Sequence, residues 1–508
     1  MAVFAIAGIV FIYQSFAANS NLPGDINSDN KVNLTDLSQL LSKWNTTDSN
    51  SDVNADGKVN LQDLSLLLSN WNKTYTPGTP PTTPPTTPPS TPTFPEPTPF
   101  AGPLKVSSNG HYLVDQNNKP FFMMADTAWS LMVFLNPTKA KEYIDLRKAQ
   151  GYNTILTNIT FNQRFASGPQ GTAFENGDLS KPREAYFKAV DEVIQYAASK
   201  NMVLKIGTLW TGSNGGKWGG SLPPTDQFKA YGTWLGNRYK DYKNIIWFVG
   251  GDDTPYRNMD QIRANATALK AADPNHLITY HTDSKAYNIS GESWLGYNSI
   301  QWNANSAPYT YADAREGWGK NKPYINMEPA YDPKACCGDT DTTEIKNRHN
   351  GWWAALGGSL GVTYGGPEST WRVGAGTNNI DTNGINRNGA RHSAIIRKVL
   401  EPLDWQGLLS DWNNETVTGG RGSYGSTNYV TAGRTADGSL IVAYAPQAGT
   451  LTINLAKLSG NATARWYDPG NGNPVGTATT VSNSGSQNFS TPGTNSAGGT
   501  DWVLVIKR

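Results

Sequence analysis

The sequence predicts a multidomain chain: a small all-α module of EF-hand type, an α/β TIM (β/α)8 barrel, and a C-terminal β-sandwich. Three observations carry that reading. An oxygen-rich loop pattern near the N-terminus recurs 27 residues later. Short β-rich runs then alternate with helical stretches, the signature of parallel βα units. Beyond residue 404 the helical stretches stop, and short strands sit between Gly, Asn and Asp turns.

At 508 residues the chain exceeds one ordinary domain. Lys+Arg number 42 against 41 Asp+Glu, so neither a basic nucleic-acid stripe nor an acidic tail is implied. Only 16% of residues are charged. Polarity comes from Asn, Thr, Ser and Gly instead, a style that suits an extracellular protein. The 17 Trp supply flat faces that stack on sugar rings as well as core volume. The two cysteines, Cys336 and Cys337, are adjacent, so no disulfide framework holds the fold and no zinc site is built from cysteine. Residues 2–18 are apolar and end in the small-residue stretch Ser15-Phe-Ala-Ala18. They read as an export signal cleaved near Ala18, or as a retained anchor, giving a secreted or cell-surface protein.

Module 22–73 contains the repeat. Asp25, Asn27, Asp29, Lys31, Asn33 and Asp36 recur as Asp52, Asn54, Asp56, Lys58, Asn60 and Asp63. Side-chain oxygens fall at loop positions 1, 3, 5, 9 and 12, with the lysine carbonyls expected at 7, which is the ligand spacing of an EF-hand calcium loop. Asn30 stands where loop position 6 usually has Gly, and asparagine tolerates the left-handed backbone needed there. Both copies continue Asp-Leu-Ser-x-Leu-Leu-Ser-x-Trp, ending at Trp44 and Trp71. The pattern resembles type I dockerins. That resemblance implies two structural Ca2+ ions and a cohesin partner chosen in part by Leu34-Thr35 and Leu61-Gln62. The near-identity of the halves would permit two binding orientations.

Residues 74–100 are Thr/Pro-rich with no apolar periodicity, a polyproline-type spacer reaching roughly 70–80 Å. Eight β-rich runs follow within 101–404: 121–126, 154–160, 203–209, 245–252, 277–283, 299–303, 324–328 and 361–366. Helical segments are expected at 138–150, 184–200, 225–241, 258–272, weakly near 285–296, then at 309–318, 342–357 and 390–400. Eight such units fit a (β/α)8 barrel. Residues 405–508 carry runs at 439–444, 450–454, 462–467 and 502–506 and form the β-sandwich.

In such barrels chemistry gathers at the C-terminal ends of the strands. The polar and aromatic residues ending the runs are Asp126 and Trp129, Asn158, Trp210, Asp252 and Asp253, His281 and Asp283, Gln301 and Trp302, Glu328 and Tyr331, and Tyr364. Carboxylates and amides bond sugar hydroxyls, aromatics stack on ring faces, and two carboxyl groups perform hydrolysis. Asp252 and Glu328 follow strongly apolar runs, so both are expected to be buried at the barrel mouth. Asp126, Trp129, Asn158, Trp210, Asp253, His281, Trp302, Tyr331 and Tyr364 are the candidate substrate contacts. No cofactor for catalysis is expected.

Four separated motifs occur in order: Met124-Ala-Asp126-Thr-Ala-Trp129, Arg147-Lys-Ala-Gln-Gly151-Tyr-Asn153, Trp247-Phe-Val-Gly-Gly-Asp252 and Lys322-Pro-Tyr-Ile-Asn-Met-Glu328-Pro-Ala-Tyr331. Together they resemble the apiosidase-like glycoside hydrolases, which include glycoside hydrolase family 140. The resemblance implies a retaining glycosidase in which Asp252 is the acid/base and Glu328 the nucleophile, with release of apiose from a pectic side chain as the family's known activity. Tyr444-Ala-Pro446, Trp466-Tyr-Asp-Pro469 and Asp501-Trp-Val-Leu-Val resemble the collagen-binding-type β-domain that follows such barrels. Another retaining glycanase and a non-catalytic carbohydrate-binding or adhesion protein are the alternatives. Cys336 and Cys337, in the loop after the seventh run, are expected to form a vicinal disulfide, against two free thiols.

Overall fold

The computed structural model describes residues 24–27, 29–53, 57–74, 94, 96–161, 168–211, 222–252, 258–281, 289–301, 307–320, 322–333 and 343–508. The chain divides into two compact units, Met1–Thr91 and Pro92–Arg508.

In the first unit each loop of the repeat runs into a helix, α1 (Leu34–Ser42) or α2 (Leu61–Ser69). The asparagine at loop position 9 caps the helix and the aspartate at position 12 reaches back. Asn33 accepts from Thr35 N at 2.8 Å while Asp36 accepts from Asn33 N at 2.9 Å. Asn60, Gln62 and Asp63 repeat the capping box. Val32, Leu40, Val59 and Leu67 form the core, and the halves exchange backbone bonds symmetrically. Val59 N donates to Thr46 O, and Val32 N to Lys73 O. Asp25 accepts from Asp29 N and Asn30 N, and Asp36 accepts from Ile26 N, so two carboxylates converge inside the first loop. Asn30 adopts φ 67° and Gly57, at the same position of the second loop, φ 91°. This convergence of carboxylates on a tight loop fits a hard cation. Asn54 and Asp56 lie outside the described residues.

The second unit is a curled parallel sheet of the (β/α) barrel type followed by a β-rich domain. Its barrel strands are β1 (Met123–Thr127), β2 (Thr154–Asn158), β3 (Val203–Trp210), β4 (Ile245–Gly250), β5 (Ile278–His281), β6 (Asn298–Gln301), β7 (Tyr324–Glu328) and β8 (Gly361–Tyr364). They pair in the order β8-β1-β2-β3-β4-β5, with β6-β7 as a second parallel pair. Gly296 N to Ile278 O (2.8 Å) and Leu360 N to Tyr324 O (3.0 Å) link the two arcs. The surrounding helices are α3 (Pro137–Ala149), α4 (Glu184–Ser199), α5 (Thr225–Tyr239), α6 (Met259–Ala272), α7 (Ala307–Trp318), α8 (Glu344–Leu356) and α9 (Asn388–Leu400). Two expectations are corrected. In segment 285–296 residues 285–288 lie outside the described residues, and from Ile289 onward the chain shows a 3-10 residue and turns instead of an α-helix. The first run splits: Pro120–Phe121 joins a small antiparallel sheet with Lys105–Val106 and Leu113–Val114, and the barrel strand begins at Met123.

Strand alternation sorts the side chains. Met123, Ala125, Leu156, Val203, Ile246, Phe248, Ile325 and Met327 fill the barrel interior. Met124, Ile155, Leu204, Trp247, Tyr280 and Val362 face outward, toward the helices.

The C-terminal domain stacks two antiparallel sheets. One has the order β9-β11-β12-β17-β14-β15, from β9 (Leu408–Ser410), β11 (Thr431–Thr435), β12 (Leu440–Ala445), β17 (Trp502–Lys507), β14 (Ala462–Tyr467) and β15 (Pro474–Val481). The other is β10 (Val417–Gly419), β13 (Thr450–Asn454) and β16 (Ser486–Ser490). The outer face of the larger sheet continues the barrel's core: Leu440, Val442, Tyr444, Val503 and Val505 pack into the same cluster as Trp352 and Trp353 of α8. At that junction Arg348 makes a two-pronged, buried ion pair with Asp501 (2.7 and 2.6 Å). Tyr444 adds a hydroxyl bond to Asp501 at 2.8 Å.

Candidate active site

Two β-bulges aim side chains at the barrel mouth. In β7, Asn326 pairs with Ile300 and Glu328 with Gln301, so Met327 is an extra residue. Without it, Glu328 would share the phase of Tyr324 and Asn326 and face the helices. The bulge turns it inward. In β3, Gly207 pairs with Phe248 and Trp210 with Gly250, again one residue long. Leu209 therefore faces the helices and Trp210 the interior. Two glycines clear the space below. A Cβ on Gly207 would lie 2.3 Å from Asn158 Oδ1 and 2.4 Å from the Phe248 ring. Gly250, at φ 99°, ends β4 where a Cβ would lie 2.2 Å from His281 O. The chain turns there and carries Asp252 to the mouth.

Around this floor Asp252, His281 and Glu328 each bring one oxygen or nitrogen to within 4.8 Å of the others. His281 Nε2 stands 3.0 Å from Glu328 Oε2, and both residues are buried. Tyr331 donates its hydroxyl to Glu328 Oε1 at 2.7 Å, and Trp129 Nε1 donates to Tyr331 Oη, also at 2.7 Å. Burial, reinforced by the charge of Glu328, holds the Tyr331 phenol well above its ordinary range, so it remains a donor. Gln301 Nε2 donates to Asp252 Oδ1 at 2.9 Å. Trp129, Trp210 and Phe248 wall the imidazole of His281, with ring centroids 5.2, 4.8 and 6.1 Å away. Asn158 donates from its side chain to Trp129 O, and its Oδ1 is buried without a partner among the described residues. One half-buried acid and one buried carboxylate stand beside these aromatic walls, the second accepting from the Tyr331 hydroxyl and lying 3.0 Å from His281 Nε2. Such a site can supply both a proton and a nucleophile to an acetal carbon.

Two expected contacts stand elsewhere. Asp126 shares the phase of Met124 and points away from the mouth. It ion-pairs with Arg147 (2.9 Å) and accepts from Tyr143 (2.7 Å), both on α3 and fully buried. Burial pushes its carboxyl up while Arg147 opposes the shift. Tyr364, paired in register with Asp126, also faces outward, with Arg147 5.6 Å from its ring centroid and its hydroxyl 3.3 Å from Asp332. Both residues are fully buried and lock the helix layer to the sheet. Asp253, Asp283, Trp302, Cys336 and Cys337 lie outside the described residues.

Two neighbours of the site were not singled out from the sequence. Trp371 lies in a short turn of helix beyond β8 and packs on Tyr331 at 6.1 Å. Its indole nitrogen is buried with no partner among the described residues. An aromatic shortly after the eighth run was the available signal. Lys205, mid-strand in β3, lies inside the barrel against Met327 Sδ (3.7 Å) and the Tyr297 ring (5.2 Å).

Residues 107–407 match the family model for the apiosidase-like catalytic domain. Residues 23–71 match the type I dockerin domain, and 417–507 match a family named for the collagen-binding domain of a collagenase. A search of curated proteins returned no match. Among solved structures, one described as a glycoside hydrolase is 24% identical with a TM-score of 0.71, over 81% of this chain and 98% of its own. A glycoside hydrolase family 5 protein from Bacteroides vulgatus is 21% identical with a TM-score of 0.68, over 80% of this chain and 93% of its own. These two likenesses establish the barrel fold.

Proposed function

The chain belongs to the apiosidase-like glycoside hydrolases and carries a type I dockerin, and from that premise we propose that it cleaves plant cell-wall polysaccharide outside the cell with retention of anomeric configuration. Glu328 is the nucleophile and Asp252 the acid/base. The observation that carries this is proximity: one oxygen of each of the two carboxyl groups lies within 4.8 Å of the other, too close to leave room for the intervening water of an inverting pair. Retaining pairs stand ~5–5.5 Å apart, and inverting pairs need roughly 6.5–9.5 Å to admit a water.

Asp252 gives its proton to the glycosidic oxygen as Glu328 Oε attacks the anomeric carbon. The C–O bond breaks, the leaving alcohol departs with the proton, and a glycosyl ester forms on Glu328. Asp252, now a carboxylate, takes a proton from water, whose oxygen displaces Glu328 from the same carbon. The Tyr331 hydroxyl and His281 stabilise charge on Glu328 and fix its direction, and Gln301 orients Asp252. Trp129, Trp210 and Asn158 contact the sugar, and Trp371 joins them as a stacking wall. A pectic side chain releasing apiose is the substrate the family favours.

The proposed domain division is a signal peptide or N-terminal anchor at 1–18, dockerin 22–73, linker 74–100, barrel 101–404 and β-domain 405–508. The dockerin holds two Ca2+ ions through the twelve loop residues named above and docks a cohesin. Equivalent exposed leucines on its two helices, Leu34 with Leu61 and Leu41 with Leu68, support two equivalent docking faces. Reducing-sugar release from a panel of pectic and other wall polysaccharides, by wild type and Glu328→Gln side by side, tests the reading. Release by wild type alone is expected. A wild type inert on every member would favour a binding protein.

A further inference from the structure

We infer that Asp252, His281 and Glu328 also form a binding site for a borderline transition-metal ion of the Zn2+ class, and that an ion held there silences the enzyme. The geometry is that of a one-imidazole, two-carboxylate ligand set. His281 Nε2 and Glu328 Oε2, 3.0 Å apart, are close enough for both to reach one ion with bonds near ~2.0–2.2 Å. The third ligand atom lies within 4.8 Å of both, on half-buried Asp252, whose approach to the other two completes the set. Both imidazole nitrogens of His281 are buried without a hydrogen-bond partner among the described residues, so packing against Trp129, Trp210 and Phe248 holds the ring's orientation and no bond competes for its lone pair.

Ligand chemistry selects the ion. One nitrogen and two carboxylates, with a water in the fourth position, suit Zn2+ and its neighbours. Ca2+ seeks six to eight oxygens and Mg2+ keeps an octahedral oxygen shell. The aromatic walls of Trp129, Trp210 and Phe248 lower the local dielectric and strengthen the attraction between ion and carboxylates. The consequence for turnover rests on the glycosidase reading above. An ion bridging the trio occupies the Glu328 lone pair needed for attack and displaces the proton Asp252 must deliver. It therefore competes with substrate.

The test uses the full chain with Ca2+ in saturating excess, so that the dockerin loops are filled before Zn2+ is added. Calorimetric titration with Zn2+ is expected to show one site of micromolar strength, and Zn-edge anomalous diffraction from soaked crystals is expected to place the ion between the three side chains. Asp252→Asn and His281→Gln, each confirmed folded by circular dichroism, should each weaken binding at least tenfold. No Zn2+ uptake above the Ca2+-saturated background, or uptake unchanged in both variants, overturns the inference. Binding is read without substrate, so the two readings fail separately. A protein that binds Zn2+ at the trio and hydrolyses nothing keeps the metal site and loses the glycosidase. An active enzyme indifferent to Zn2+ does the reverse.

Discussion

Lys205 is a cation in an apolar barrel core, and its removal should stabilise the protein. The residue is fully buried, and among the described residues its amine meets a thioether and an aromatic face rather than a carboxylate. Burial drives its pKa from the ordinary 10.5 down to about 7. A displacement of that size corresponds to ~5 kcal/mol of disfavoured charge, an upper figure that local relaxation reduces to about 2–4 kcal/mol. The folded pKa is depressed below the unfolded one, so between about pH 7 and 10.5 the unfolded chain binds the extra proton. Stability therefore rises with pH across that window, and the full cost is present below pH 7. Lys205→Met keeps the side chain's length and removes the amine. Urea unfolding of the variant and wild type at pH 6, 8 and 10 should give the largest gain at pH 6 and a smaller one at pH 10. A variant less stable than wild type at pH 6, or a gain independent of pH, would refute the reasoning.

Three further outcomes follow from the same structure. Tyr331→Phe deletes the hydroxyl donor to Glu328 and should lower kcat by roughly 10–100-fold, measured on any active substrate. Asp501→Ala strands the buried Arg348 and should cost about 3–5 kcal/mol, with barrel and β-domain melting in one calorimetric transition. Burial raises the Asp501 pKa but Arg348 lowers it further, so the net depressed value makes this stabilisation present above the unfolded carboxyl range and lost as pH falls through the folded value. Removing calcium with a chelator should abolish the helicity of an isolated 20–75 fragment by circular dichroism, because clustered aspartates then repel, and should leave hydrolysis of a soluble substrate intact.

The sequence made the strand ends visible but not the face each side chain takes. Asp126 and Tyr364 end their strands as a catalytic residue would, yet both share the phase of outward-facing Met124 and Val362. Knowing that phase required knowing where each strand begins, and the first began two residues later than its apolar run. Glu328 shows the converse. Alternation alone turns it toward the helices, and only an extra residue in β7 brings it inward. A bulge is a pairing relation between strands, so one strand's residues do not reveal it. Asp252 needed no such information, because a left-handed glycine and a turn carry it past the strand end. The dockerin repeat was legible because its helix caps and core recur at one interval within a local motif. Trp371 and Lys205 were overlooked for opposite reasons: one lies beyond the last strand, the other amid apolar neighbours that concealed its charge.

Proton NMR of the first-formed product, recorded before mutarotation, tests most directly the claim that Asp252 and Glu328 act as a retaining pair. The account predicts that the released sugar keeps the anomeric configuration of the bond cleaved. It also predicts that Glu328→Ala loses roughly 10³-fold or more in turnover and regains activity with added azide, giving a glycosyl azide of inverted configuration. A wild-type product of inverted configuration, or a Glu328→Ala enzyme turning over near the wild-type rate, would contradict it.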